Sequence, residues 1–431
     1  MKLAIVCPCG SGHLNPSLGL ASELQSRGHE VCLAVFRDGE AKAVAAGIRH
    51  CVVAEDEFPR GQVQLEIKEL GRHTGLKALR ATADFLGRQH LADIRDLPRI
   101  CEAEKFTGML IDQCSNGAAT VAQALRIPYV TIANALWFTR DLSMPSGSSD
   151  LTPAHGVFGR LKCRFSHLPM WLVTRSIFKP INQKRRALGL DNLTYRNWAE
   201  SDLAIVSQLP KELEFPEMAS PDHLHYTGPF FRSETREVDL IDWARFENRP
   251  LIYVSMGTAF NNIRSVFHAI AAACVGLDAQ LLIALGDRGA QVGDGWPGTP
   301  VVVPHAPQLE VLKRATLVVT HAGLNTVLET LAHGVPMVAL PVTGDQPAVA
   351  ARMVGLGAGV ALPVNQVRED RVRELIRKVL TDSSFRDTAQ RMQRTIAETQ
   401  GRTRAAKIIE LALSQGKTIT RYVAQSTLGT P

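Results

Sequence analysis

No apolar run in this 431-residue chain reaches the roughly 18 residues of a membrane-spanning helix, so no such helix is expected. Net charge is only +6 and no basic stretch with interleaved aromatics recurs, so nucleic acid is not expected as a partner. Cysteine is sparse and scattered. Of the eight, only Cys7 and Cys9 lie close together, as C-x-C, which is neither a zinc nor a thioredoxin spacing. Lys2 leads directly into a short strand with no longer apolar region or A-x-A site, so we expect no signal peptide and a reducing, cytoplasmic setting. No D-x-D pair, of the kind that holds a divalent ion beside a nucleotide sugar, occurs.

What is present is an alternation of short apolar runs with helical stretches: KLAIVC, EVCLAVF, GMLID and PYVTIA in the first half, then PLIYVS, AQLLIAL, TPVVVP, TLVVTH and PMVAL. Continuous apolarity marks strands covered on both faces, hence parallel sheets flanked by helices. The length suits two such α/β domains, each a doubly wound sheet, facing across a cleft. We place the N-terminal domain at 1–228, a linker at 229–250 where Gly and Pro precede a charged stretch, and the C-terminal domain at 251–400. Residues 401–431 form a helix that could pack back on the N-terminal domain, and a tail, with a helix break at Gly401.

The loop CPCGSGHLNP, between a strand and a helix, poses a choice. A dinucleotide fingerprint would need a third glycine where Asn15 stands, although Gly10, Gly12 and Asp38 fit. The other reading is that the loop presents His13. In the second half, HAPQLEVLKRATLVVTHAGLNTVLETLAHGVPMVALPVTGDQ reads as a buried strand, a tight turn and a helix closed by Gly334. Such a turn delivers backbone N–H groups and a positive helix end to the sheet edge, an anion site. His321, Gly323, Asn325 and Thr326 suit a diphosphate, Glu329 a ribose diol, and Asp345 with Gln346 sugar hydroxyls.

This segment resembles the donor-binding signature of the UDP-glycosyltransferases of glycosyltransferase family 1: W-x-P-Q, H-x-G-x-N-[ST]-x-x-E, G-V-P and a closing [DE]-Q. It is more similar to bacterial carotenoid (zeaxanthin) glucosyltransferases and their macrolide-modifying relatives than to plant enzymes. YVSMGT resembles the family's phosphate loop, with Thr258 at the diphosphate, and GSGHLNP its N-terminal G-H-x-x-P. The resemblance implies a GT-B fold and an inverting, metal-independent hexosyl transfer from UDP-glucose, with no cofactor. It implies His13 as general base, Asp112 as the residue that orients it, and Thr258, His305, Gln308, His321, Gly323, Asn325, Thr326, Glu329, Asp345 and Gln346 around the donor. His305 stands where the family has the tryptophan that stacks on uracil, which leaves UDP and dTDP open; Leu324 replaces the plant tryptophan.

NALWFTRDLSMP follows a first-half strand, and Asn134, Leu136, Trp137 and Phe138 are expected to line a pocket for a lipophilic acceptor, carotenoid-, sterol-, flavonoid- or macrolide-like. Leu151 to Leu190 holds eight basic and no acidic residues: a basic amphipathic surface for anionic lipid or a lipophilic acceptor, or a solvated helix face. His50, His155 and His225 show no metal-like pairing and read as structural. Two rival functions remain, a UDP-sugar 2-epimerase of related architecture and a non-catalytic glycosyltransferase-like auxiliary protein.

Overall fold

The structure, a computed structural model, describes residues 1–70, 75–154, 156–231, 241–258 and 264–428. Part of the expected linker, 232–240, and His155 thus lie outside the described residues. The first sheet contains β1 (Lys2–Val6), β2 (Glu30–Val35), β3 (Arg49–Val52), β4 (Gly108–Asp112), β5 (Tyr129–Ala133), β6 (Ile205–Ser207) and β7 (Leu224–Tyr226), ordered β3-β2-β1-β4-β5-β6-β7. The second contains β8 (Leu251–Ser255), β9 (Gln280–Ala284), β10 (Val301–Val303), β11 (Ala315–Thr320), β12 (Met337–Ala339) and β13 (Gly359–Ala361), ordered β10-β9-β8-β11-β12-β13. Every pairing is parallel: Ala4 aligns with Cys32 and with Met109, and Val319 with Val254 and with Val338. These are two Rossmann-like domains, and in each the strand order reverses beside the first strand, so loops at the carboxyl edges of β1, β4, β8 and β11 can reach a common crevice.

The burial explains the sequence pattern. Along β1 the side chains of Leu3 and Ile5 enter a core with Leu14, Leu18 and Leu24 of helix Ser11–Ser26, while Ala4 and Val6 enter one with Phe58 and Leu97 on the opposite face. Both faces being covered, alternation is lost and the strand reads as a continuous apolar run. The same holds for β8, whose Tyr253 and Val254 belong to different cores.

Away from the loops of the cleft, a helix crossing and a buried ion pair tie the halves together. Helix Ser383–Thr399 ends at Gln400, which has φ +48°, and helix Gly401–Gln415 begins at once. The break therefore falls one residue before the expected Gly401. A Cβ on Gly401 would come within 2.5 Å of the Gly228 and Pro229 backbones, so glycine permits the approach. Helix Gly401–Gln415 then packs Ala405, Ile408, Ile409 and Ala412 into the same core as Leu18 and Leu24 of helix Ser11–Ser26. The second link is a buried ion pair: the Arg352 guanidinium, from helix Gln346–Leu356, donates to Glu214 at 2.7 and 2.8 Å, with both side chains almost fully covered. No described helix is long and apolar enough to cross a membrane.

Candidate active site

The loop after β1 enters helix Ser11–Ser26 with Gly10 at its cap, and His13 sits in the first turn, at the carboxyl edge of the sheet. Asp112, the last residue of the adjacent β4, is 1 % exposed. The His13 Nδ1–H donates to Asp112 Oδ2 at 2.8 Å. Two further donors hold that carboxylate: Asn134 Nδ2 to the same oxygen at 2.8 Å, and the Cys114 backbone N–H to Oδ1 at 2.8 Å. An ionised carboxylate so held fixes the proton on Nδ1 and leaves Nε2 as the basic nitrogen. Burial pulls the His13 pKa down, but the charge and hydrogen bond of Asp112, with a smaller contribution from Asp345, outweigh it and leave the ring above its usual value.

Asp345 comes from the other domain, at the cap of helix Gln346–Leu356. Burial raises its pKa, partly offset by His13 and by the Leu136 backbone N–H it accepts from. A carboxylate expected at the sugar hydroxyls thus also faces the candidate base across the cleft. Asn325 makes a second cross-cleft link: Nδ2 donates to the Gly12 carbonyl at 2.8 Å, and Oδ1 accepts from Gln208 Nε2 at 2.8 Å. Its amide therefore bridges the two loops, a role that the sequence pattern did not reveal.

In the C-terminal domain β11 ends at Thr320 and helix Leu324–Ala332 begins at Leu324, without a side-chain cap on its first N–H groups. The turn needs Ala322 in the left-handed region, φ +63°, which for a residue with a Cβ costs about 1–2 kcal/mol. His321 lies between two glycines: a Cβ on Gly257 would be 2.6 Å, and on Gly323 2.5 Å, from its Nε2. Burial pulls the His321 pKa down to about 4, with a small opposing effect from a hydrogen bond to Ser255, so the ring is neutral at pH 7. Thr258 is exposed beside Gly257, and Thr326 is buried in the first turn of the helix.

The remaining donor-side residues fall around this turn. Glu329, 1 % exposed, accepts from Gln308 Nε2 at 2.6 Å, and Tyr253 Oη donates to Gln308 Oε1 at 3.4 Å. His305 is partly exposed and sits 3.4 Å from the Arg288 guanidinium. Gln346 turns its carbonyl oxygen to the Val342 and Thr343 N–H groups, at 2.8 and 3.1 Å, shaping the loop that carries Asp345.

Three expectations need correction. Leu136 is fully buried in the core of the second sheet, with Leu209, Leu213 and Leu251, and does not line an open pocket. Trp137 packs on Ala133, Ile205 and Leu224, with its Nε1–H donated to Glu200 at 3.2 Å. Asn134 braces Asp112 and Ser17 from a position 2 % exposed. The apolar side chains of Leu136 and Trp137 are interior packing, and of the expected pocket residues only Phe138, beside Trp198 at 5.3 Å, keeps partial exposure. Asp38, weighed as a ribose acid, instead accepts from the Gly61 and Gln64 N–H groups. His50 pairs with Glu40 and His225 with the Ile419 carbonyl, as structural residues do. Among the described residues, the one group of three metal-ligating side chains is His13, Asp112 and Cys114, within 4.8 Å of one another. A cation bound through the facing atoms would have to break the His13 to Asp112 hydrogen bond, and burial pushes the Cys114 thiol well up.

Residues 211–399 match the family model described as UDP-glucoronosyl and UDP-glucosyl transferase. A zeaxanthin glucosyltransferase of Pantoea ananas is 28 % identical over 423 residues, covering 96 % of this chain and 97 % of that protein. A demethyllactenocin mycarosyltransferase of Streptomyces fradiae is 28 % identical over 418 residues, 94 % and 85 % of the two chains. The solved structure of the glycotransferase of kitacinnamycin superposes with a TM-score of 0.76 at 23 % identity, over 96 % of this chain and 99 % of its own. Residues 211–399 thus carry the domain of the UDP-glucuronosyl and UDP-glucosyl transferases, and the fold of the whole chain is that of the GT-B glycosyltransferases.

Proposed function

We propose that this glycosyltransferase moves glucose from UDP-glucose to a hydroxyl of a lipophilic small molecule, with inversion and with His13 as general base. The observation that carries the reading is the juxtaposition of two loops. His13, with Nδ1 held by Asp112, lies in the loop whose Gly12 carbonyl is bonded to Asn325, at the start of the candidate diphosphate helix. In one in-line displacement the acceptor oxygen bonds to the anomeric carbon as its proton passes to His13 Nε2. The bond from that carbon to the diphosphate oxygen breaks, and UDP leaves with the electron pair. The first N–H groups of helix Leu324–Ala332 and the neutral His321 would stabilise the charge on the leaving group. No step in this scheme requires a metal.

Glu329 and Gln308 are suited to the ribose, Thr258 and Thr326 to the diphosphate, and Asp345 with Gln346 to the sugar. His305, in place of a tryptophan, gives less stacking area on the base and keeps dTDP-sugars as a second donor class. The zeaxanthin of the Pantoea relative's name supports a lipophilic alcohol as acceptor. The test is an assay of purified protein in EDTA with UDP-glucose or dTDP-glucose and a panel of hydroxylated carotenoids, sterols, flavonoids and macrolides. Wild type is compared with His13→Ala, reading glycoside by mass. The expected product is lost in the variant. Product formation unaffected by His13→Ala would remove the base assignment, and release of free 2-epimerised sugar without acceptor would favour the epimerase.

A further inference from the structure

Helix Gly156–Ser166 buries only Cys163 among its eleven residues. Val157 is 80 % exposed, Phe158 83 % and Phe165 64 %, and Leu161 is exposed beside them. Positions 157, 158, 161 and 165 fall on one face at helical spacing. The patch continues onto helix Leu168–Ala187, where Leu168, Trp171 and Leu172 are exposed while Thr174, Ile177, Phe178 and Ile181 pack inward. Soluble proteins seldom leave so contiguous an apolar surface without a use for it.

Its charge points to the occupant. Of the eight basic residues between Leu151 and Leu190, Arg185 is buried and bonded to Thr120, Gln123 and the Asp191 carbonyl; the other seven are exposed. No carboxylate pairs with Arg160, Lys162, Arg164 or Lys179 among the described residues, and the segment has no acidic residue of its own. An apolar face rimmed by unpaired cations, with Trp171 under the Arg175 guanidinium at 5.4 Å, matches the headgroup boundary of an anionic bilayer.

We infer that helices Gly156–Ser166 and Leu168–Ala187 form a docking surface for anionic lipid bilayers. The surface is coupled to the stretch that follows β5. His167 bonds the Met144 carbonyl through Nε2 at 2.8 Å, and Ser166 Oγ accepts from the Ser146 N–H at 2.9 Å. Docking would therefore hold the 134–146 segment, which begins at Asn134 against Asp112, next to the lipid phase. This use of the surface rests on the lipophilic-acceptor reading; the docking itself does not.

The test is vesicle flotation without donor or acceptor, so that a failure of glycosyl transfer and a failure of docking are read separately. Vesicles of mixed phosphatidylglycerol and phosphatidylcholine should carry wild-type protein upward at low salt, and release it at about 0.5 M salt, where the screening length falls to a few ångströms. Replacing Arg160, Lys162 and Arg164 by Gln should lower partitioning by about fivefold per charge, roughly a hundredfold together. Phe158→Ser with Phe165→Ser should lower it at least about tenfold, with the circular dichroism spectrum unchanged. Brominated lipid should quench a component of tryptophan fluorescence that Trp171→Phe removes. Wild type that does not float overturns the inference, as does flotation indifferent to these substitutions. A dimer in light scattering that the phenylalanine variant dissolves, without vesicle binding, would make the patch a self-association surface instead.

Discussion

Replacing Asp112 by asparagine tests the site at its centre. The carboxylate is almost wholly buried and takes hydrogen bonds from His13, Asn134 and the Cys114 backbone. With the charge gone, burial, which lowers the His13 pKa, no longer meets the attraction that outweighs it. A hydrogen bond to a charged group contributes about 1.5–3 kcal/mol, or roughly 1–2 pH units at about 1.36 kcal/mol per unit. A general base works deprotonated, so activity rises with pH through its pKa. In wild type the acid limb of kcat/KM should lie above the ordinary histidine value of about 6.5, and in Asp112→Asn it should move down by about 1–2 units. The plateau should fall by about 10²–10⁴. The reason is that a new NH₂ facing Nδ1 donates rather than accepts, which drives the ring proton to Nε2 and blocks the base. The assay is a pH–rate profile of glycoside formation with saturating donor. An acid limb that stays in place, or a plateau within about threefold of wild type, would refute the pairing as the source of the base's reactivity.

Gly257→Ala places a methyl 2.6 Å from His321 Nε2 at a residue with φ +77°, so the imidazole must move. UDP affinity by calorimetry should fall about tenfold or more, the equivalent of about 1.4 kcal/mol, and unchanged affinity would remove His321 from the diphosphate site. Asn325→Ala removes the bonds to the Gly12 carbonyl and Gln208. Because they join the loops of base and donor, kcat should fall about 5- to 150-fold, corresponding to about 1–3 kcal/mol, with a smaller change in KM for the donor. Glu214→Ala leaves Arg352 buried and unpaired and should lower unfolding stability by about 3–5 kcal/mol, read from denaturant midpoints. Replacing both by leucine should recover much of the loss, and a silent Glu214→Ala would mean that the pair is not buried in solution.

Nine of the thirteen strands are visible in the sequence as apolar runs. The others, β3, β6, β7 and β13, are three or four residues long. Runs such as IVS or LHY carry too little periodicity to stand out, and their pairing in the sheet is what makes them strands. The acceptor-side residues misled for a related reason. Leu136 and Trp137 look the same in sequence whether they line a pocket or fill a core, since both environments select large apolar side chains. The basic segment 151–190 could be seen, but its exposed apolar face could not, because which side of an amphipathic helix meets solvent depends on what packs against the other.

By itself the sequence determined the layered α/β architecture, since strands covered on both faces must be apolar throughout. It also determined the strand-turn-helix units around His13 and around His321 to Thr326, since a strand, a glycine turn and a helix start are local instructions read within ten residues. The tertiary structure alone decided what those pieces meet. Asp112 reaches His13 from 99 residues away, Asn325 reaches Gly12 from 313, and Glu214 reaches Arg352 from 138. The first needs β1 and β4 paired in one sheet, and the other two need the two sheets closed on each other. Their chemistry depends on distance and burial, which no local pattern encodes.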